Sequence, residues 1–510
     1  MEYSKEVDEV LLGEIIVGQL YDLIRNLFGS TDDFLVKYND NSTVTITQLC
    51  DKHFVLDFTK ANIKKIIINN KNWKNKLESS FKEGLEKSDH SSKDPIIIFI
   101  EHHRHECITI PQNDQVKKWI VIFKNDFVSK KYVWPRDINI EEIYDCVYNG
   151  MCCVCKESSL VKLCKKSDII ESYHLDQQVY IQSYGDRKLI QREEINAAAL
   201  QNIGAFVKRI GADHTSQKSG DGVGTLANRT DINVFVLDTG IFPHIDLNIY
   251  NGRNFTSSNP NAWQDVNGHG THVAGIIGAK DNTYGIVGIA PGVRLWAIKV
   301  LGDNGSGSTS GIISALNWIL INRNVLWSGF GIINMSLGGG AFLPLDNAIN
   351  TLINNGITVC VAAGNSAQNA INYSPARVQN AITVGATQPN ASYNTLAYYS
   401  NYGSVVDILS PGTFIYSTYV NNLYATMSGT SMATPVVTGT VALLLSSTNT
   451  GLPPVNSNFV INLRNLLISK SSLLLPSNFD GTQGSNPRIV LSVIAKNAGT
   501  TDISVWAGSY

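Results

Sequence analysis

Short apolar, β-branched runs that end in glycine and small polar residues recur through the second half of the chain. Asn233-Val234-Phe235-Val236-Leu237 runs into Asp238-Thr239-Gly240, and Ile357-Thr358-Val359-Cys360-Val361 runs into Ala362-Ala363-Gly364-Asn365. Unbroken apolar runs of this length predict strands buried on both faces, as in a parallel sheet. The residues after His269 and the stretch 436–445 have the small and apolar spacing of packed helices. In the first half, 118–125 predicts a strand, 140–146 and 157–165 predict helices, and 167–181 predicts a further strand. Residues 7–27 and 62–87 have helical spacing, 88–93 reads as a loop, and 489–494 as a last strand. Strands alternating with helices predict an α/β body for the second half.

Composition divides the chain at a similar place. Only 20 of its charges, 10 basic and 10 acidic, fall in the 280 residues from Asp231 to Tyr510, and every acidic one is Asp. That half is rich in Gly, Ser, Thr and Asn, whereas the rest is an ordinarily charged sequence. A length of 510 residues allows two to four domains, with at least one boundary between residues 180 and 231. The formal net charge of -2, with no run of Lys and Arg, argues against a nucleic-acid partner. No apolar stretch is long enough for a membrane span, and the start lacks the basic and apolar regions of a secretory leader.

Seven of eight cysteines precede residue 165. Cys360 alone cannot form a disulfide within the second half, which fits a reducing compartment. With no leader and no span, these features point to an intracellular or virion-associated protein. Cys152-Cys153-Val154-Cys155 lacks the separated pairs of a structural zinc site. The tract Glu101-His102-His103-Arg104-His105-Glu106-Cys107 reads more simply as the polar end of an apolar run than as a metal site.

Three polar positions follow predicted buried segments. Asp238 ends a strand, where an α/β sheet opens its crevice. His269, among glycines in Asn267-Gly268-His269-Gly270-Thr271-His272, begins a helix and can present its imidazole; His272, one turn on, reads as a packing residue. Ser431, in Ser428-Gly429-Thr430-Ser431-Met432-Ala433-Thr434-Pro435, stands near a helix N-terminus if Pro435 occupies the first turn. Singly these read as a turn aspartate and a helix cap. Together they supply a nucleophile, a base and the carboxylate that fixes the base's tautomer. Asn365, after glycine at a strand end, is a candidate oxyanion donor.

These motifs, in the order Asp, His, Asn, Ser, resemble the signatures of the subtilases over roughly residues 195–475. Within that family Val300-Leu301-Gly302-Asp303-Asn304-Gly305-Ser306-Gly307, Ser336-Leu337-Gly338-Gly339-Gly340 and Asn372-Tyr373-Ser374-Pro375-Ala376 are most similar to the proteinase K branch. The resemblance implies a three-layer α/β fold with a mostly parallel central sheet over 191–510. It also implies a serine endopeptidase that acts through an acyl-enzyme on Ser431, with Asp238 orienting His269. No cofactor is implied for catalysis. Gly305, Ser306 and Gly307 with Ser336, Leu337 and Gly338 would pair with an extended protein or peptide substrate, and Ala362, Ala363 and Gly364 would line the pocket before the cut. Their uncharged character implies a broad apolar or aromatic preference.

A structural Ca²⁺ on Asp407 with the Gln379 and Ala381 carbonyls is likewise implied. The pattern over 117–190 resembles the α+β ferredoxin-like inhibitor prodomain of subtilases, cut off near residues 183–200; a permanent packing domain of the same shape is the plainer reading. Residues 1–116 form an N-terminal extension of unassigned role. Rival readings are a catalytically silent subtilase-like scaffold or binding protein, and a ligase or cyclase that passes the acyl group to an amine.

Overall fold

The computed structural model describes residues 114–124, 132–166, 169–190, 201–214, 219–222, 226, 229–389, 395–446 and 456–470, with backbone alone for 185–190 and for a few short strands between 11 and 102. The segments 62–87, 103–107 and 489–494, and 7–27 apart from the two-residue strand Leu11–Leu12, lie outside the described residues. The chain divides into a unit of 1–114 with 157–168, and a larger one of 115–156 with 169–510. In the smaller unit the helix Glu157–Lys166 forms where its spacing predicts it, and the Asp114 carboxylate accepts from the Ser158 amide and hydroxyl in its first turn.

The larger unit is built on an eight-stranded sheet. Six strands run parallel in the order Ile249–Asn254, Arg294–Lys299, Ile232–Asp238, Phe330–Met335, Thr358–Ala362 and Ile382–Gln388. Ile408–Pro411 joins Ile382–Gln388 in parallel, and Thr395–Leu396 pairs with it antiparallel. Every residue of Ile232–Asp238 and of Thr358–Ala362 is buried, which accounts for their lack of alternation. The helices His269–Gly278 and Thr430–Ser446, buried along their whole length, pack on each other. The helices Thr309–Ile321 and Leu343–Asn354 pack as a second pair, and Leu343–Asn354 also touches the strand Thr358–Ala362.

A second sheet of four antiparallel strands has the order Ile170–Leu175, Val116–Phe123, Gly150–Lys156, Asn139–Tyr144. Asn139–Tyr144 corrects the helix expected at 140–146. Glu141 is skipped in its pairing with Gly150–Lys156, and this bulge puts Ile140 and Ile143 three residues apart, a spacing that imitates a helix. The single strand expected at 167–181 is two, Ile170–Leu175 and Gln178–Ile181.

This sheet lies on the pair Thr309–Ile321 and Leu343–Asn354. Asn317 Oδ1 accepts from the amides of Cys146 and Val147 at 3.0 and 3.2 Å, Thr351 donates to the Val147 carbonyl, and Ser314 donates to Glu142. Asp176 accepts from Thr309 Oγ1 and from the amide and hydroxyl of Ser310, where the helix begins with unsatisfied N–H groups.

Cys152, Cys153 and Cys155 are buried in the strand Gly150–Lys156, whose neighbouring positions point to opposite faces, so the three thiols do not converge on a metal. Burial pushes the Cys152 thiol up to about 12, and Cys360, a core thiol, likewise. Among the described residues no cluster of His, Cys, Asp and Glu could hold a metal, and no helix is long and apolar enough to cross a membrane.

Candidate active site

Asp238 is the last residue of its strand, and His269 the first of its helix. The helix can begin there because Gly268 is left-handed, with φ 95°; a Cβ on it would meet the Tyr419 ring at 2.2 Å. Asp238 Oδ1 lies 2.7 Å from His269 Nδ1, and both side chains are wholly buried. This bond places the proton on Nδ1 and leaves Nε2 as the basic nitrogen. His269 Nε2 has no hydrogen-bond partner among the described residues. His272 bonds the carbonyls of Ile415 and Ala425 through its Nε2, a packing role.

Ser431 is the second residue of the helix Thr430–Ser446. The helix starts earlier than its proline suggests, and Pro435 falls beyond the first turn. Having no N–H, Pro435 cannot bond the carbonyl four residues back, which is that of Ser431. The Ser336 hydroxyl donates to that carbonyl at 2.9 Å, and the Ser431 hydroxyl donates in return to the Ser336 carbonyl at 2.9 Å. The nucleophile candidate is therefore turned toward Ser336 in this structure.

Asn365 Oδ1 accepts from both the amide and the hydroxyl of Thr430, each at 2.9 Å. That fixes which end of the amide points inward. Its Nδ2 is buried and has no acceptor among the described residues. The loop on both sides of it is held by Asn401, which donates to the Ala363 carbonyl and accepts from the amides of Ser366 and Gln368.

The cleft itself contains a stretch of the same chain. Gln178–Ile181 runs antiparallel between Ser306–Ser308 and Leu337–Gly340, with Val179 opposite Gly307 and Tyr180 opposite both Ser306 and Gly338. Ile181 N donates to the Gly305 carbonyl at 3.1 Å and Gln182 N to the Ser336 carbonyl at 3.2 Å. The Gln182 carbonyl accepts from the Ser431 amide at 3.1 Å. A Cβ built on Gly429, φ 147°, would lie 2.3 Å from that carbonyl oxygen and 3.2 Å from Asn365 Nδ2, so a side chain there would fill this seat. Beyond it Tyr184–Ile190 pairs antiparallel with Leu423–Ser428. Ala362, Ala363 and Gly364, with Gly338 and Ala376, line a cavity of about 290 Å³ beside Gln182, and no charged residue lines it.

Residues 229–488 match the Subtilase family, about half of the chain. The chain belongs to the subtilase family. Across 252 residues this subtilase is 43% identical to Subtilisin Savinase of Lederbergia lenta, covering 49% of the chain and 87% of that protein. It is also 43% identical over 252 residues to an alkaline protease of Alkalihalobacillus alcalophilus, spanning 62% of that protein. A solved structure described as a cold adapted subtilisin-like serine proteinase is 37% identical, covering 53% of this chain and 92% of that one, with a TM-score of 0.45. The subtilase described here is accordingly a subtilisin-like serine protease.

Of the residues named for calcium, Asp407 is met by groups of the protein itself. The Arg464 guanidinium, on the helix Ser457–Lys470, contacts both carboxylate oxygens and reaches the Ala381 carbonyl at 3.3 Å, while Thr383 N donates to Oδ2. These oxygens face a cation already supplied by the chain, which does not fit a resident Ca²⁺; no step below depends on one. Four residues at the site were given no role from the sequence: Gln182, whose role is defined only by what it reaches; Thr430, which stands in the Ser431 motif, and Asn401, ordinary polar residues; and Lys299, a buried ammonium that donates to the Thr239 carbonyl at 2.6 Å and to the Asp303 carboxylate at 2.8 Å.

Proposed function

We propose that this subtilase is a serine endopeptidase made as a zymogen that cuts its own chain between Gln182 and Ser183. The supporting observation is the Gln182 carbonyl on the Ser431 amide, with the chain paired as strands on both sides of that bond. Asp238 holds His269 by Nδ1, and Nε2 takes the proton of the Ser431 hydroxyl once that hydroxyl turns from the Ser336 carbonyl. Ser431 Oγ then attacks the carbonyl carbon. Negative charge develops on the carbonyl oxygen, toward the Ser431 amide and Asn365 Nδ2, and is stabilised in a site closed to water. His269 passes its proton to the leaving amine, and water releases the acyl group by the same steps reversed.

For other substrates the same track, Gly305 to Gly307 and Ser336 to Gly338, binds an extended peptide, and the uncharged lining at Ala362, Ala363 and Gly364 accepts apolar or aromatic side chains and, a reading supported by Gln182 at the same cavity, uncharged polar ones. After the cut, the Tyr184 ring stacks on Tyr399 at 4.7 Å and meets Tyr398 edge-on at 5.4 Å, which favours an aromatic residue two positions past the bond. The four-stranded sheet, docked on two helices of the body, acts as the enzyme's own inhibitor.

A fluorophosphonate probe tests the nucleophile. Label on the wild type, lost in Ser431→Ala, is the expected result. Equal labelling of the two would remove Ser431 from the mechanism.

A further inference from the structure

Asp265 belongs to no motif discussed above, yet its carboxylate is the most heavily bonded buried group beside the site. Oδ1 accepts from Thr239 Oγ1 at 2.8 Å and from the amides of Asn267 and Gly268, each at 2.9 Å. Oδ2 accepts from the amide and hydroxyl of Thr271 at 2.9 and 2.6 Å. All five donors belong to two short stretches: Thr239 follows Asp238, and the other three residues flank His269. The link is closed by Gly270 N, which donates to Thr239 Oγ1 at 3.0 Å, and by Phe242 N, which donates to Thr271 Oγ1 at 2.9 Å.

The two backbones touch at this point without side chains between them. A Cβ on Gly270 would lie 2.1 Å from the Gly240 carbonyl, and one on Gly240 would lie 2.2 Å from the Trp263 carbonyl. Contact this close transmits any shift of the helix start directly to the end of the strand. Asp265 is 2% exposed and pairs with no cation among the described ion pairs, so its charge is met by these donors. Tyr419 reinforces the turn by donating to the Asn267 carbonyl at 2.8 Å.

We propose that Asp265 is a positioning residue for the reaction: it locks the strand end that carries Asp238 to the helix start that carries His269, and so sets the bond between them. The inference rests on the catalytic reading of Asp238, His269 and Ser431. Asp265→Asn keeps the shape but turns two N–H bonds toward groups that already donate. A small displacement of a reacting group costs roughly ten- to a hundredfold in rate.

The test starts from the full chain, left to mature, and compares wild type with Asp265→Asn, Thr239→Val and Thr239→Ser. Measured are kcat and KM on one peptide, and the thermal midpoint. The expected result is a kcat loss of roughly ten- to a hundredfold in Asp265→Asn with KM within about twofold. Thr239→Val should lose less in the same direction, and Thr239→Ser should recover most of it. An unchanged kcat in folded Asp265→Asn, or a rate loss equal to the unfolded fraction, would overturn the proposal. Should Asp265→Asn fail to fold, Thr239→Val with unchanged kcat would overturn it as well. A wild type that neither labels with the fluorophosphonate nor turns over would instead bring down the catalytic reading and this inference with it.

Discussion

Asn365 shows how a side-chain amide becomes committed to one direction. Its oxygen takes two donors from Thr430, so its nitrogen is left without an acceptor among the described residues, on the side of Gly429 where the Gln182 carbonyl also lies. Asn365→Ala is expected to cost about 10²–10³ in kcat, the size typical of removing one oxyanion donor, subtilisin's included, with little change in KM on a peptide assay. A comparable loss in KM alone would reassign Asn365 to binding. Asp238, His269, Asn365 and Ser431 were legible in the sequence because the chemistry restricts both their type and their neighbours. The roles of Asp265, Thr430 and Asn401 were not, because each acts by accepting or donating to backbone that many residue types could have offered. Gln182 was hidden for another reason: its partners stand more than a hundred residues away, and only the fold brings them to it.

At the scale of elements, the buried strands were readable because a parallel strand covered on both faces needs an unbroken apolar run. The strand Asn139–Tyr144 was not, since its bulge at Glu141 replaces alternation by a spacing of three. Pro435 misled for a similar local reason: the carbonyl it leaves unbonded is satisfied by Ser336 from another element. The docking of the four-stranded sheet is also an element-level property. Burial pushes the Glu142 carboxyl above its usual range, although the Ser314 hydroxyl bond and the Arg253 charge oppose this. An acid whose docked pKa is raised binds more protons docked than free. Docking therefore weakens as pH rises from the ordinary carboxylate range through the raised value, and the cost persists above it. Glu142→Gln is expected to retain the cleaved N-terminal piece more firmly at pH 7 than wild type does and equally at pH 4, read by size-exclusion chromatography at both. Weaker retention of the variant at pH 7 would show that the charged form is the one that docks.

At the scale of the molecule, the charge-poor second half encodes the body, and its few ionic contacts are correspondingly important. Arg464 ties the helix Ser457–Lys470 to Asp407 beside the last parallel strand, and Asp407 is only 7% exposed. Arg464→Ala is expected to lower stability by roughly 3 kcal/mol, because it leaves a buried carboxylate uncompensated, and thermal unfolding would report it. A change within about half a kcal/mol would place the ion pair among exposed ones. The proposed division of labour between an enzyme body and a docked self-inhibitor rests on one bond. The most direct measurement is N-terminal sequencing and intact mass of the wild type and of Ser431→Ala after expression as full chains. The expected result is a wild-type species beginning at Ser183 and an uncut variant; a wild type that remains uncut at Gln182–Ser183 while labelling fully, or a variant cut there at the wild-type rate, would contradict it.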